Sequence, residues 1–79
     1  MINAYMLVSM EPGDSSQAIS QMRKVENLAK ISVVAGEYDI VLRVQVKNLN
    51  NLLNVTNKIQ KIKGVQRTTT QVIEKEVST

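Results

Sequence analysis

Read for polarity, the chain breaks into short apolar runs divided by glycine, asparagine and charge. The first run, Ala4-Tyr5-Met6-Leu7-Val8-Ser9-Met10, predicts a strand that stops at Glu11-Pro12-Gly13. Asp14 then reads as a helix N-cap with Gln17 three residues on. That is a variant of the capping box, in which each side chain satisfies the other's orphan backbone donor. The helix is expected to run to about Lys24, with Ala18, Ile19 and Met22 toward the core. Leu28 to Ala35 predicts a second strand and Asp39 to Val46 a third. In the third, Ile40, Leu42, Val44 and Val46 share one face by period two. The link of about three residues contains Gly36, so these two strands should pair as an antiparallel hairpin.

Asn48 is placed to cap a second helix. Leu49, Leu52, Leu53, Ile59 and Ile62 fall at helical spacing along its stripe. Lys58, Lys61 and Lys63 crowd the last turn, where cations suit the helix dipole, and Gly64 is expected at C′. Val65 to Ile73 predicts the fourth strand, and Lys75 to Thr79 a frayed or partner-bound tail.

The two halves echo each other. Arg23-Lys24-Val25-Glu26-Asn27-Leu28 aligns with Gln60-Lys61-Ile62-Lys63-Gly64-Val65. Asn27 stands where Gly64 stands, and both residue types tolerate the left-handed conformation that follows a helix. Two β-α-β units joined by a hairpin give β-α-β-β-α-β, the split-βαβ, ferredoxin-like α+β sandwich. It implies a four-stranded antiparallel sheet with both helices on one face. The other face would carry Tyr5, Leu7, Val41 and Arg43. The three apolar members are either tolerated surface residues or one half of a sheet-to-sheet dimer. At roughly 25 cal/mol per Å² of apolar area removed from water, such pairing contributes several kcal/mol.

Length turns that choice toward self-association. With 79 residues the chain makes one domain, residues 1–79, too small to bury much of its surface. It has no cysteine and no histidine, so no disulfide staples it and any metal site would rest on carboxylates alone. Small scaffolds without staples gain stability by oligomerising, so a homo-oligomer is expected. The lack of cysteine suits a reducing cytoplasm. Met1-Ile2-Asn3 offers no basic n-region, and no apolar run approaches a membrane span. Net charge is +3, but the ten basic residues are dispersed and leave no nucleic-acid footprint.

Catalytic signatures are missing. There is no Cys or His to act as nucleophile or base, and no serine sits in a G-x-S-x-G elbow. Glu37 and Asp39 lie two apart near a turn without supporting ligands. We therefore expect no enzyme, no metal and no cofactor. The three glycines are scattered and make no phosphate nest. Base stacking on a ferredoxin-like sheet needs aromatic residues, and Tyr5 is the only one expected on this sheet.

Two stretches carry candidate chemistry. Gly36-Glu37-Tyr38-Asp39 can be a simple turn, with glycine supplying positive φ and Asp39 bonding the turn backbone. The turn also exposes backbone N–H groups suited to a carboxylate, beside an acid suited to an ammonium. Those are the needs of an amino acid's zwitterionic head. Thr68-Thr69-Thr70 can be ordinary β-branched strand residues, or a row of hydroxyls that both donate and accept toward a small polar ligand.

Taken together, Glu11-Pro12-Gly13 after strand one, Val34-Ala35-Gly36-Glu37-Tyr38-Asp39 before strand three, and Ile62-Lys63-Gly64-Val65 followed by Thr68-Thr69-Thr70 resemble the Lrp/AsnC family. More narrowly they resemble its effector-binding RAM domain, over about Ala4 to Ile73. The resemblance implies a domain that dimerises through its sheets and builds octamers or rings, with amino-acid effectors bound between dimers. It places Gly36, Glu37, Tyr38, Asp39, Thr68, Thr69 and Thr70 at the effector. Full-length regulators of this family carry a helix-turn-helix that has no counterpart here, and Met1 leads directly into strand one. The chain is then either a stand-alone RAM protein, which we expect, or an excised domain, and it is expected to act with full-length relatives without touching DNA itself. A purely structural assembly module and an ACT-like amino-acid-binding domain are the alternatives. Asn27, where relatives often have Gly, is a departure expected to change little.

Overall fold

The computed structural model describes residues 1–79. Its elements are β1 (Ile2–Met10), α1 (Ser15–Met22), β2 (Leu28–Val33), β3 (Ile40–Val46), α2 (Leu49–Gln60) and β4 (Val65–Val72). The sheet order is β2-β3-β1-β4, with every neighbouring pair antiparallel. This is the expected β-α-β-β-α-β order. Alternation along the two central strands sends Ala4, Met6, Val8 and Met10 of β1, and Ile40, Leu42, Val44 and Val46 of β3, to one face. Ala18 and Met22 of α1 and Leu52, Val55 and Ile59 of α2 complete the same cluster. Both helices therefore cover one face of the sheet. All thirteen buried residues are apolar, so the core itself holds no polar side chain.

Several local expectations are corrected. Asp14 precedes α1, but its side chain makes no capping bond, and the capping box with Gln17 does not form. The Asp14 N–H donates instead to the Glu11 carbonyl at 3.3 Å, in the turn that precedes the helix. The helix ends at Met22, two residues before Lys24. In α2, Leu49 and Leu53 are 61% and 60% exposed. At 100° per residue they lie roughly 90° and 130° round from the centre of the buried Leu52, Val55 and Ile59 stripe. Asn48 does cap α2, its side chain accepting from Asn51 N–H at 2.9 Å.

Gly64 has the expected positive φ of 92° but is not the C′ residue, because the helix ends at Gln60 with Lys61 as its cap. Asn27 repeats this after α1 with φ 74°. The left-handed residue thus turns the chain into the following strand, one position before Val65 and Leu28 respectively. Strand β2 stops at Val33, short of Ala35. The hairpin connection is Val34 to Asp39, longer than the three residues expected, and is closed by one bond from Val34 N–H to the Asp39 carbonyl at 3.0 Å. The wider loop carries Tyr38 toward β4.

Candidate functional site

Three backbone-directed bonds fix Asp39. Its N–H donates to the Val8 carbonyl at 2.9 Å, and its carbonyl accepts from Val34. Its Oδ2 accepts from Met10 N–H at 2.7 Å. That last bond lies just past the end of the β1–β3 ladder, whose final pair is Val8 with Ile40. Past that end no β3 residue pairs with Met10, and the Asp39 carboxylate satisfies its N–H. Asp39 is first a builder of this corner.

The neighbouring Tyr38 is half-buried. Its hydroxyl lies 3.3 Å from Thr69 Oγ1 on β4, a long hydroxyl–hydroxyl contact. The Arg67 guanidinium stands over the Tyr38 ring, 5.7 Å from its centroid, within cation–π reach. Period two divides the threonines. Thr69 is opposite Leu7 and belongs to the open face, whereas Thr68 and Thr70 are opposite the buried Val8 and Met6. Thr68 Oγ1 accepts from Gln60 Nε2 of α2 at 3.0 Å. The structure brings Tyr38, Thr69 and Arg67 together and turns Thr68 and Thr70 to the helix layer. Gly36 and Glu37 are exposed at the loop tip, with Gly36 at φ 154°.

Sequence reasoning missed Arg67 and Gln60. Arg67 had a usable signal, since it lies two residues before Thr69 on an alternating strand. Gln60 had none, because its contact spans the end of one element and the middle of another. No concavity of the protomer is lined by Gly36 to Asp39 or by Thr68 to Thr70. In the single protomer these residues form an open corner.

The open face joins this corner. Tyr5, Leu7, Val41 and Arg43 are all on it, with Tyr5 opposite Arg43 and Leu7 opposite Val41. A shallow cavity of about 480 Å³ runs across Tyr5, Lys30, Ser32, Val41, Arg43 and Gln45. Arg43 lies over the Tyr5 ring at 5.1 Å and donates to its hydroxyl at 3.1 Å. Donating to the Glu76 carboxylate raises the Arg43 pKa further above its already alkaline value. The tail is thus tied to the sheet, where the sequence led us to expect fraying or a partner.

The family model for the Lrp/AsnC ligand binding domain matches residues 3–79. The chain belongs to the Lrp/AsnC family. Among its Lrp/AsnC relatives, the HTH-type transcriptional regulator FL11 of Pyrococcus horikoshii is 31% identical over 72 residues, covering 91% of this chain and 48% of that regulator. The chain spans about half the length of the curated regulators it matches. TTHA0845 from Thermus thermophilus superposes with a TM-score of 0.91 at 26% identity, covering all of both chains. The transcriptional regulator NMB0573 of Neisseria meningitidis, solved in complex with L-Met, superposes with a TM-score of 0.86 at 21% identity, over 99% of this chain and 53% of that one. No helix of this Lrp/AsnC chain is long and apolar enough to cross a membrane.

Proposed function

We propose that the chain is an effector-binding, self-associating regulatory module of the cytoplasm whose ligand is an amino acid. In this reading two protomers pair through Tyr5, Leu7, Val41 and Arg43, and dimers build larger rings or octamers. The effector lies where a second dimer closes the corner of Gly36, Glu37, Tyr38, Asp39 and Thr69, with Thr68 and Thr70 behind it. Regulation passes through co-assembly with full-length relatives such as the FL11 regulators, without direct contact to nucleic acid and without catalysis. The observation that carries the reading is the match of the ligand-binding-domain model to residues 3–79. The Tyr38–Thr69 contact supports it by joining the two stretches that carry candidate chemistry. The methionine complex of the Neisseria protein supports an amino acid as the class of ligand.

The test is a thermal screen of the twenty amino acids at millimolar concentration. A ligand at 100 times its dissociation constant stabilises the folded state by about 2.7 kcal/mol, so at least one should raise the melting temperature. No shift with any of them counts against the reading. Thr70→Ala should weaken binding if the helix-side threonines support the site, and Tyr38→Phe if the hydroxyl touches the ligand.

One observation favours a second reading, an assembly module that binds nothing small. The Asp39 carboxylate already holds Met10 N–H, which leaves Glu37 as the only unengaged acid in the loop. That module would show a concentration-dependent oligomer indifferent to every effector. An ACT-like domain would associate through edges or helices, so a charge placed on the open sheet face at Leu7 separates it as well.

A further inference from the structure

The open face carries a fully formed carboxylate receptor. Arg43 donates through Nη2 to Glu76 Oε1 at 2.9 Å and through Nη1 to Glu76 Oε2 at 3.3 Å. Tyr5 supports the fork from below. Such two-pronged arginine–carboxylate pairs are the directional, strong class of charge-assisted bond. The tail follows the sheet only as far as Ile73, whose N–H donates to the Asn3 carbonyl at 2.9 Å. Within three residues it reaches Arg43 on β3, so it lies on the face that Tyr5, Leu7 and Val41 share. The pair is two-sided in exposure, with the Arg43 side chain 22% and the Glu76 side chain 54% accessible. Arg43 Nε is buried without a partner.

Two sheets cannot approach closely while each keeps its own tail between them. Nor can Arg43 enter the interface bare, since a buried arginine stripped of its counter-ion is strongly destabilising. The other acids of the chain are Glu11, Asp14, Glu26, Glu37, Asp39 and Glu74, and none of them pairs with Arg43. We propose that the tail is exchanged on dimerisation, with Glu76 of one protomer leaving its own Arg43 and seating on Arg43 of the second copy. This rests on the sheet-face dimer proposed above and adds to it the residue that each copy lends the other. The intramolecular pair is the unassembled form of the same contact.

Charge-swap complementation tests it. Arg43→Glu alone and Glu76→Lys alone each place like charges together, within a protomer and between identical copies. Each should weaken the homodimer about tenfold or more, read by sedimentation equilibrium, with circular dichroism confirming the fold. Mixing the two single variants should restore dimerisation as a heterodimer, because each tail then meets an opposite charge on its partner. The double variant Arg43→Glu/Glu76→Lys should dimerise like wild type. If the wild type is dimeric and the mixture is no tighter than either variant alone, the pair stays within the protomer and the exchange is wrong. Single variants that dimerise as tightly as wild type also overturn it. A wild-type chain that remains monomeric at every concentration removes the sheet-face dimer, and the exchange with it.

Discussion

Asp39 has two possible duties, and substitution separates them. Asp39→Ala leaves Met10 N–H without its acceptor at a part-buried position. Losing one partner of a hydrogen bond in that setting costs about 1–3 kcal/mol, measurable by urea unfolding. Asp39→Asn keeps an acceptor oxygen and should cost less. If an effector ammonium needs the negative charge, Asn should keep the fold and lose the ligand, which titration calorimetry would show. Equal affinity for both proteins would confine Asp39 to architecture. The residue types of this corner were readable in the sequence, but its partners were not. Tyr38 meets Thr69 across 31 positions, and only the register of β1 with both its neighbours sets that meeting.

At the level of elements, the two helix starts resemble each other in sequence and differ in structure. Asn48 makes its capping bond and Asp14 makes none. Asn48→Ala should therefore lower stability by about 1 kcal/mol. Asp14→Ala should fall within about 0.5 kcal/mol of wild type. The residues after the helices diverge too. A Cβ on Gly64 would lie 2.6 Å from Asp14 Cβ, at φ 92°. Gly64→Ala should cost more than the roughly 1–2 kcal/mol of a left-handed residue alone. Asn27→Gly, at φ 74°, should be within about 1 kcal/mol of neutral, because relief of strain offsets added freedom in the unfolded chain. Paired denaturant curves test all four variants. Strand and helix identities were legible because period two and period 3.6 persist through their runs. The stripe of α2 was read too wide because leucine at 49 and 53 satisfies the spacing, while the sheet is covered by the narrower row at 52, 55 and 59.

For the whole molecule the decisive surface is the open face. Leu7→Lys places a charge at its centre, opposite Val41. A sheet-to-sheet dimer should dissociate, as light scattering would show, while the monomer keeps its fold because Leu7 lies outside the buried cluster. A dimer that survives the change would require another interface. Alternation placed Tyr5, Leu7, Val41 and Arg43 on this face from sequence. It gave no hint of Glu76, since a tail without periodicity carries no positional code. The sign of the Arg43 shift also bears on conditions. A base whose folded pKa is raised contributes stability that is present below its unfolded value and lost as pH rises through the folded one. For arginine that loss lies in strongly alkaline solution, so its side of the pair with Glu76 stays charged across the physiological range.

The order β2-β3-β1-β4 puts the first strand in the middle of the sheet and the last strand beside it. Ala4 pairs with Val72, and the Ile73 N–H meets the Asn3 carbonyl. Along the chain, β1 therefore meets its β3 flank before its β4 flank. Contacts this distant in sequence slow folding, and until β4 arrives one side of β1 exposes free backbone donors and acceptors. The threonine-bearing edge, and with it the Tyr38 corner, is complete only once β4 has docked on β1.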